Sequence, residues 1–232
     1  MNSPLADAIQ TAFRDCRDMD ASLGERLDAF AASLRMISAP FAEAVDRLVG
    51  RLEKVEAGAG APGVGELLPP FYLPDQEGRI VSLDALLGHG PVAVVVHRGH
   101  WCPYCRINTR ALAQARPRIE ATGGQVVAII PDRQQYAAAI LGEAEADFPV
   151  LTDMDNGYAM SLNLVFWVGA EMRDFMSRAG LDLAEYQGNE SWMVPVPATF
   201  VVGQDGRVKA RFVDPDYRKR MTIESMLAAL RS

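Results

Sequence analysis

Five consecutive apolar residues, Val92-Ala93-Val94-Val95-Val96, run directly into His97-Arg98-Gly99-His100-Trp101-Cys102-Pro103-Tyr104-Cys105-Arg106. A short β-branched run of this kind reads as a strand buried on both faces. Pro103 suits the first turn of a helix, where a missing N–H costs nothing. The chain therefore carries a strand-to-helix junction with two thiols on it. A helix N-terminus favours negative charge, and thiolate is the reactive form of cysteine. Two thiols three positions apart on one turn can also close into a disulfide, so the junction implies dithiol–disulfide redox chemistry. It predicts that Cys102 is the more exposed thiol, facing the free N–H groups of the first turn. It also predicts that Arg98, Arg106, and His97 or His100 when protonated, lower a thiol pKa.

The rest of the chain must supply a sheet for this junction. Apolar runs at 126–130 and 199–202 repeat the pattern of 92–96, and helical stretches at 103–121 and 133–146 lie between them. Strand–helix–strand alternation makes this an α/β chain with a central mixed sheet flanked by helices. Gln204-Asp205-Gly206-Arg207 marks a turn, so 199–203 and 207–213 read as a β-hairpin. Residues 217–231 read as a closing amphipathic helix, with Asp214-Pro215-Asp216-Tyr217 as its turn and N-cap. Residues 155–190 read as an insertion of short helices near the active face. Upstream, Leu23, Leu27, Phe30, Leu34 and Ile37 recur at helical spacing, as do Phe41, Val45, Leu48, Leu52 and Val55, so 3–56 reads as helical throughout. The Gly- and Ala-rich run 57–65 breaks that period. The division is an N-terminal helical extension, 1–60, and an α/β domain, 61–232. The apolar stripes of the extension demand burial, either on their own domain or as the interface of a homodimer.

Charge and cysteine count narrow the function. A net charge of −7 argues against nucleic-acid binding, which needs a basic face. Cys16, Cys102 and Cys105 are the only cysteines of 232 residues, which is no disulfide scaffold and fits a reducing compartment. Cys16 reads as a buried small hydrophobe. The first residues lack the basic and apolar regions of a signal peptide, and no window approaches 18 uninterrupted apolar residues, so a cytoplasmic location with no membrane span is expected.

A second motif lies about ninety positions downstream: Val194-Pro195-Val196-Pro197-Ala198-Thr199-Phe200 runs from proline into a strand. With Trp-Cys-x-x-Cys before it and an Asp-Gly hairpin after it, this resembles the thioredoxin-like fold. The resemblance implies that Pro197 forms a cis peptide facing the cysteine pair. The segments Phe71-Tyr72-Leu73-Pro74-Asp75, Arg98-Gly99-His100-Trp101-Cys102-Pro103-Tyr104-Cys105 and Phe148-Pro149-Val150-Leu151-Thr152-Asp153 resemble, more specifically, the peroxiredoxin-like branch of that fold, the alkyl hydroperoxide reductase / thiol-specific antioxidant family. That likeness covers about residues 62–232. It implies a thiolate that attacks peroxide, a second thiol that resolves the sulfenic acid to a disulfide, and a thioredoxin or similar thiol reductant that restores the dithiol. It implies no organic or metal cofactor.

Two departures from the family pattern stand out. Cys102 occupies the position of the Thr that precedes the peroxidatic cysteine, and Pro197 stands where an activating Arg is found. Arg98 or Arg106 are the substitutes near at hand. The peroxiredoxin register makes Cys105 the attacking thiol. The thioredoxin register makes it Cys102, and the pair together with Pro197 favours that assignment. Trp101, Pro103, Tyr104 and Thr199 complete the expected surroundings. His89 reads as solvent-facing, and Trp192 and Glu190 as surface packing or site lining. Two other functions fit the same residues: a protein disulfide oxidoreductase, and a zinc-binding or redox-sensing module in which His97 and His100 join the cysteines.

Overall fold

The computed structural model describes residues 4–232, with side chains from residue 7. Helices α1 (Pro4–Arg17), α2 (Leu23–Ile37) and α3 (Ala39–Lys54) form an N-terminal arm. The predicted helical stretch 3–56 thus breaks into three. The first break has a clear cause: Ser22 caps α2, accepting from Glu25 N while the Glu25 carboxylate accepts from Ser22 N. Such a reciprocal cap is worth about 1 kcal/mol and fixes where a helix begins. Ser38 divides α2 from α3, with Pro40 in the first turn of α3.

The hairpin β1 (Tyr72–Pro74) and β2 (Ile80–Ser82) and the short α4 (Leu83–Leu87) lead into β3 (Val92–Val96), every residue of which is buried. Then follow α5 (Pro103–Glu120), β4 (Gln125–Ile130), α6 (Gln134–Ala144) and β5 (Val150–Thr152). The predicted insertion holds a 3-10 turn (Met154–Asn156), α7 (Gly157–Ser161), β6 (Val165–Trp167), α8 (Ala170–Arg178) and α9 (Leu183–Gln187), so it contains a strand as well as helices. β6 pairs antiparallel with β7 (Met193–Pro195). The chain closes with β8 (Ala198–Val202), β9 (Val208–Val213) and α10 (Ile223–Arg231).

The main sheet has the order β5-β4-β3-β8-β9. β3 is central, parallel to β4 and antiparallel to β8, and β8 and β9 form the predicted hairpin. Alternate residues of each strand point to opposite faces. Val92, Val94, Val96, Val127 and Ile129 join one apolar cluster, while Ala93, Val95, Val126, Ala128 and Ile130 join another with α6 and α10. The first cluster also takes in Phe13, Leu27, Phe30 and Leu48. The arm therefore packs on its own domain, against α5 and α8.

Two expectations are corrected. No peptide bond among the described residues is cis, so the bond before Pro197 is trans. Only Val196 and Pro197 separate β7 from β8, and Val196 N is anchored to the Leu164 carbonyl at 2.7 Å, so no tight turn forms there. The last helix starts at Ile223 rather than at 217, because Thr222 caps it by accepting from Ser225 N. Residues 217–220 form an irregular stretch instead, and that stretch reaches the site.

Candidate active site

Cys102 is the N-cap residue of α5 and Pro103 its first residue, so both cysteines ride on the first turn at the end of β3. Neither thiol is exposed: Cys102 retains 1% of its surface and Cys105 none. The expectation that Cys102 stands outward is corrected, and its side chain caps none of the helix N–H groups. The polar contacts gather on Cys105. Its Sγ accepts from Arg98 N at 3.4 Å and from Arg220 Nη2 at 3.4 Å, and from the Cys102 thiol as well. Burial alone would raise the Cys105 pKa. The Cys102 hydrogen bond, the Arg220 charge and the Arg98 amide and charge outweigh it and bring the thiol down to about 6. Burial, and the proton it shares with Cys105, push the Cys102 thiol well up. The dithiol is thus polarised, with the negative charge on the inner sulfur.

Arg220 was not among the sequence candidates. It lies in the 217–220 stretch, buried, with its guanidinium donating to the Tyr217 carbonyl and to the Lys219 carbonyl at 2.6 Å. These backbone anchors hold the charge against Cys105. Nothing in local sequence marks it: it is 115 positions from its sulfur, and only the β8–β9 hairpin brings it back.

Arg98 is also part of the site. Its guanidinium is sandwiched, 3.8 Å from the Tyr217 ring centroid and 4.7 Å from that of Trp101, an arrangement that holds a cation in place without an acidic partner. Tyr104 packs edge-on against Phe30 of the arm at 5.1 Å and Tyr217 at 5.8 Å. Arg106, by contrast, is engaged elsewhere. Its Nε donates to Glu143 at 2.6 Å, and its guanidinium lies 3.9 Å over the Phe13 ring. His100 is 3.3 Å from the same carboxylate and stacks on Tyr136. Glu143 also meets Arg17 of α1 at 3.5 Å, so this cluster ties the arm to α5 and α6 rather than serving the sulfurs.

His97 is fully buried with both ring nitrogens unpartnered. Burial first, and the Arg220 charge second, lower its pKa to about 3. It is neutral at physiological pH and supplies no cation to the thiols. Asp132, just after β4, is another buried titratable group. Its Oδ2 accepts from His100 N at 2.6 Å, its Oδ1 has no partner, and burial raises its pKa to about 7. Gly99 (φ 137°) makes room for it: a Cβ there would stand 2.6 Å from Asp132 Oδ1.

Pro197 and Thr199 are buried in the β7–β8 region, Thr199 opposite Val95, and neither is a polar partner of a sulfur. Trp192 and Glu190 line a separate cleft with Arg173 that contains neither cysteine. His89 is exposed, with Nδ1 2.9 Å from the Ala85 carbonyl. Among the described residues, no three His, Cys, Asp or Glu side chains gather as metal ligands, so the zinc arrangement is not assembled. Nor, among those residues, is any helix long and apolar enough to cross a membrane.

The comparisons agree with this architecture. The model of the AhpC/TSA family matches residues 64–211. Peroxiredoxin Q, chloroplastic, of Sedum lineare is 33% identical over 92 residues, covering 40% of this chain and 49% of that protein, about half of the relative's length. Among solved structures, peroxidoxin BcpB from Mycobacterium tuberculosis superposes with a TM-score of 0.57 at 21% identity, covering 73% of this chain and 97% of that one. Peroxiredoxin Q of Xanthomonas campestris does so with a TM-score of 0.54 at 15% identity, covering 72% and 96%. These structures show a shared thioredoxin-like fold. The arm lies outside the matched segment, whereas the junction, both cysteines and most of the sheet lie within it. That segment is more than half of the sequence, and on it this chain belongs to the AhpC/TSA family.

Proposed function

We propose that the protein is a thiol peroxidase that reduces hydrogen peroxide or small organic hydroperoxides through a Cys102/Cys105 dithiol–disulfide cycle. The observation that carries this reading is the pair of donors on Cys105 Sγ, the Arg220 guanidinium and the Arg98 amide. They favour a thiolate at neutral pH, and thiolate is the nucleophile. In this reading the roles favoured by the thioredoxin register are reversed. Cys105 S⁻ attacks the terminal peroxide oxygen, the O–O bond breaks, and the peroxide's proton passes to the departing oxygen, giving sulfenate and alcohol or water. The Cys102 thiol then attacks the protonated sulfenic sulfur, an S–S bond forms and water leaves. A thiol reductant returns two electrons.

Cys102 sits in a cavity walled in part by the arm and Cys105 is fully buried, which counts against exchange with a protein disulfide, the alternative use of the same pair. Three cysteines in 232 residues suit a reducing compartment such as the cytoplasm.

Stopped-flow mixing of the reduced protein with hydrogen peroxide tests the proposal. The expected product is a Cys102–Cys105 disulfide after one equivalent. In Cys102→Ser the oxidation halts at a sulfenate on Cys105, read by dimedone labelling and mass spectrometry, and Cys105→Ser does not react. Oxidation no faster than a free thiol's would overturn the reading.

A further inference from the structure

A cavity of 220 Å³ leads to Cys102. Phe30 and Leu34 of the arm and Met172 and Met176 of α8 form its walls, and Arg98 and Cys102 lie at its floor. Cys105 does not line it. A larger cleft of 890 Å³, beside Pro69 and Gln204, lies at the opposite end of β3 and has no cysteine or histidine in its lining.

We propose that the Cys102–Cys105 disulfide is reduced by a small dithiol with a hydrocarbon body, which enters this cavity and attacks Cys102 Sγ, and not by the thioredoxin-type protein donor that the family resemblance implies. The inference rests on the disulfide cycle proposed above and names its reductant.

Three features converge on it. The first is direction. A thiol in the cavity meets Cys102, and attack there expels Cys105, the sulfur that Arg220 and the Arg98 amide hold as thiolate. A thiol that leaves as a stabilised thiolate leaves faster. The second is size and polarity. An apolar cavity of roughly 150 Å³ takes one benzene, so this one holds a ring or short chain of about ten heavy atoms and no protein loop. Its lining is mostly apolar, so a charged group away from Gln10, Arg98 and Arg106 finds no partner there. The buried Arg98, whose Nε is unpartnered, is the group at the floor that favours an incoming thiolate. The third is number. The cavity holds one donor at a time, so the mixed disulfide is best resolved by a second thiol on the same molecule, which acts at high effective concentration.

The electrons balance in two steps. The donor's first thiolate forms an S–S bond with Cys102 as the Cys102–Cys105 bond breaks and Cys105 leaves as thiolate. The donor's second thiolate then attacks its own sulfur in that mixed disulfide, closing a cyclic disulfide and releasing Cys102, which takes up a proton. Two electrons pass from donor to protein.

The full chain, oxidised with diamide, is mixed with dihydrolipoamide, with glutathione or with a reduced thioredoxin, and thiol recovery is followed by stopped flow. The expected second-order rate constant is largest for dihydrolipoamide. Ala179→Phe, at an exposed position on the cavity wall, lowers that constant about tenfold by crowding the mouth. Its melting temperature shows that the variant is folded, and Leu34→Ala, which widens the wall, raises the constant for a bulkier dithiol. A thioredoxin rate equal to or above that of dihydrolipoamide overturns the proposal, as does a rate that Ala179→Phe leaves unmoved. Diamide oxidation needs no peroxide, so a failure of the peroxidase reading shows separately, in the hydrogen peroxide step.

Discussion

At the residue scale, the charge on Cys105 depends on a side chain that is remote in sequence. Arg220→Leu removes the guanidinium, one of the contacts that lower the Cys105 pKa, and so raises that pKa. Cys105 is an acid with a depressed pKa, so its thiolate is populated above about pH 6 and lost below it. Peroxide reactivity of the unmodified chain should therefore rise through pH 6 and level off by pH 7. In the Arg220→Leu variant the rise moves to higher pH, and at pH 7 the rate falls by up to about thirtyfold, the ratio of thiolate fractions at a pKa of about 6 and at the free-thiol value of about 8.5. A pH–rate profile of hydrogen peroxide oxidation with Cys102 intact checks both. The dithiol itself was legible in the sequence, because a Cys-x-x-Cys after an apolar strand leaves few other readings. The assignment of Arg106 as activator could not survive folding: Glu143, 37 positions away, competes for its guanidinium, and spacing alone does not reveal such competition. His97 looked like a cation because it adjoins the motif, but its complete burial keeps it neutral.

At the scale of elements, the arm and α8 decide who meets the sulfurs. Phe30 carries much of this: it is fully buried, edge-on to Tyr104 and 6.5 Å from the Phe13 ring. Phe30→Ala should cost about 3–5 kcal/mol in urea unfolding, the usual range for an emptied aromatic site in a core. Strands β3, β4, β8 and β9 and the helices α5 and α6 were legible within a residue or two, since their apolar periods are strong and their boundaries carry Pro, Gly or a turn. The start of α10 was not. Tyr217 and Met221 fit a helical stripe, yet Tyr217 is committed to Arg98 and Tyr104, and Thr222 offers a better cap. The trans peptide before Pro197 is a similar case. A proline before a buried strand is compatible with either isomer, and the Val196–Leu164 bond, long-range in sequence, decides the path.

At the scale of the whole molecule, the arm and the sheet share one apolar cluster, in which Phe13 and Leu48 stand with Val94 and Phe200. Elements joined in this way lose their packing together. Urea unfolding followed by far-ultraviolet circular dichroism and by tryptophan emission should give one coincident transition. Two separated transitions would mean that the arm is a distinct folding unit. The sandwich of Arg98 between Trp101 and Tyr217 carries a consequence of an optical kind. The indole of Trp101 lies against a fixed cation, one residue from a sulfur whose neighbour changes from thiolate to disulfide in each cycle. Its emission is therefore a natural reporter of the redox state, reading out turnover without a dye, against a constant background from Trp167 and Trp192.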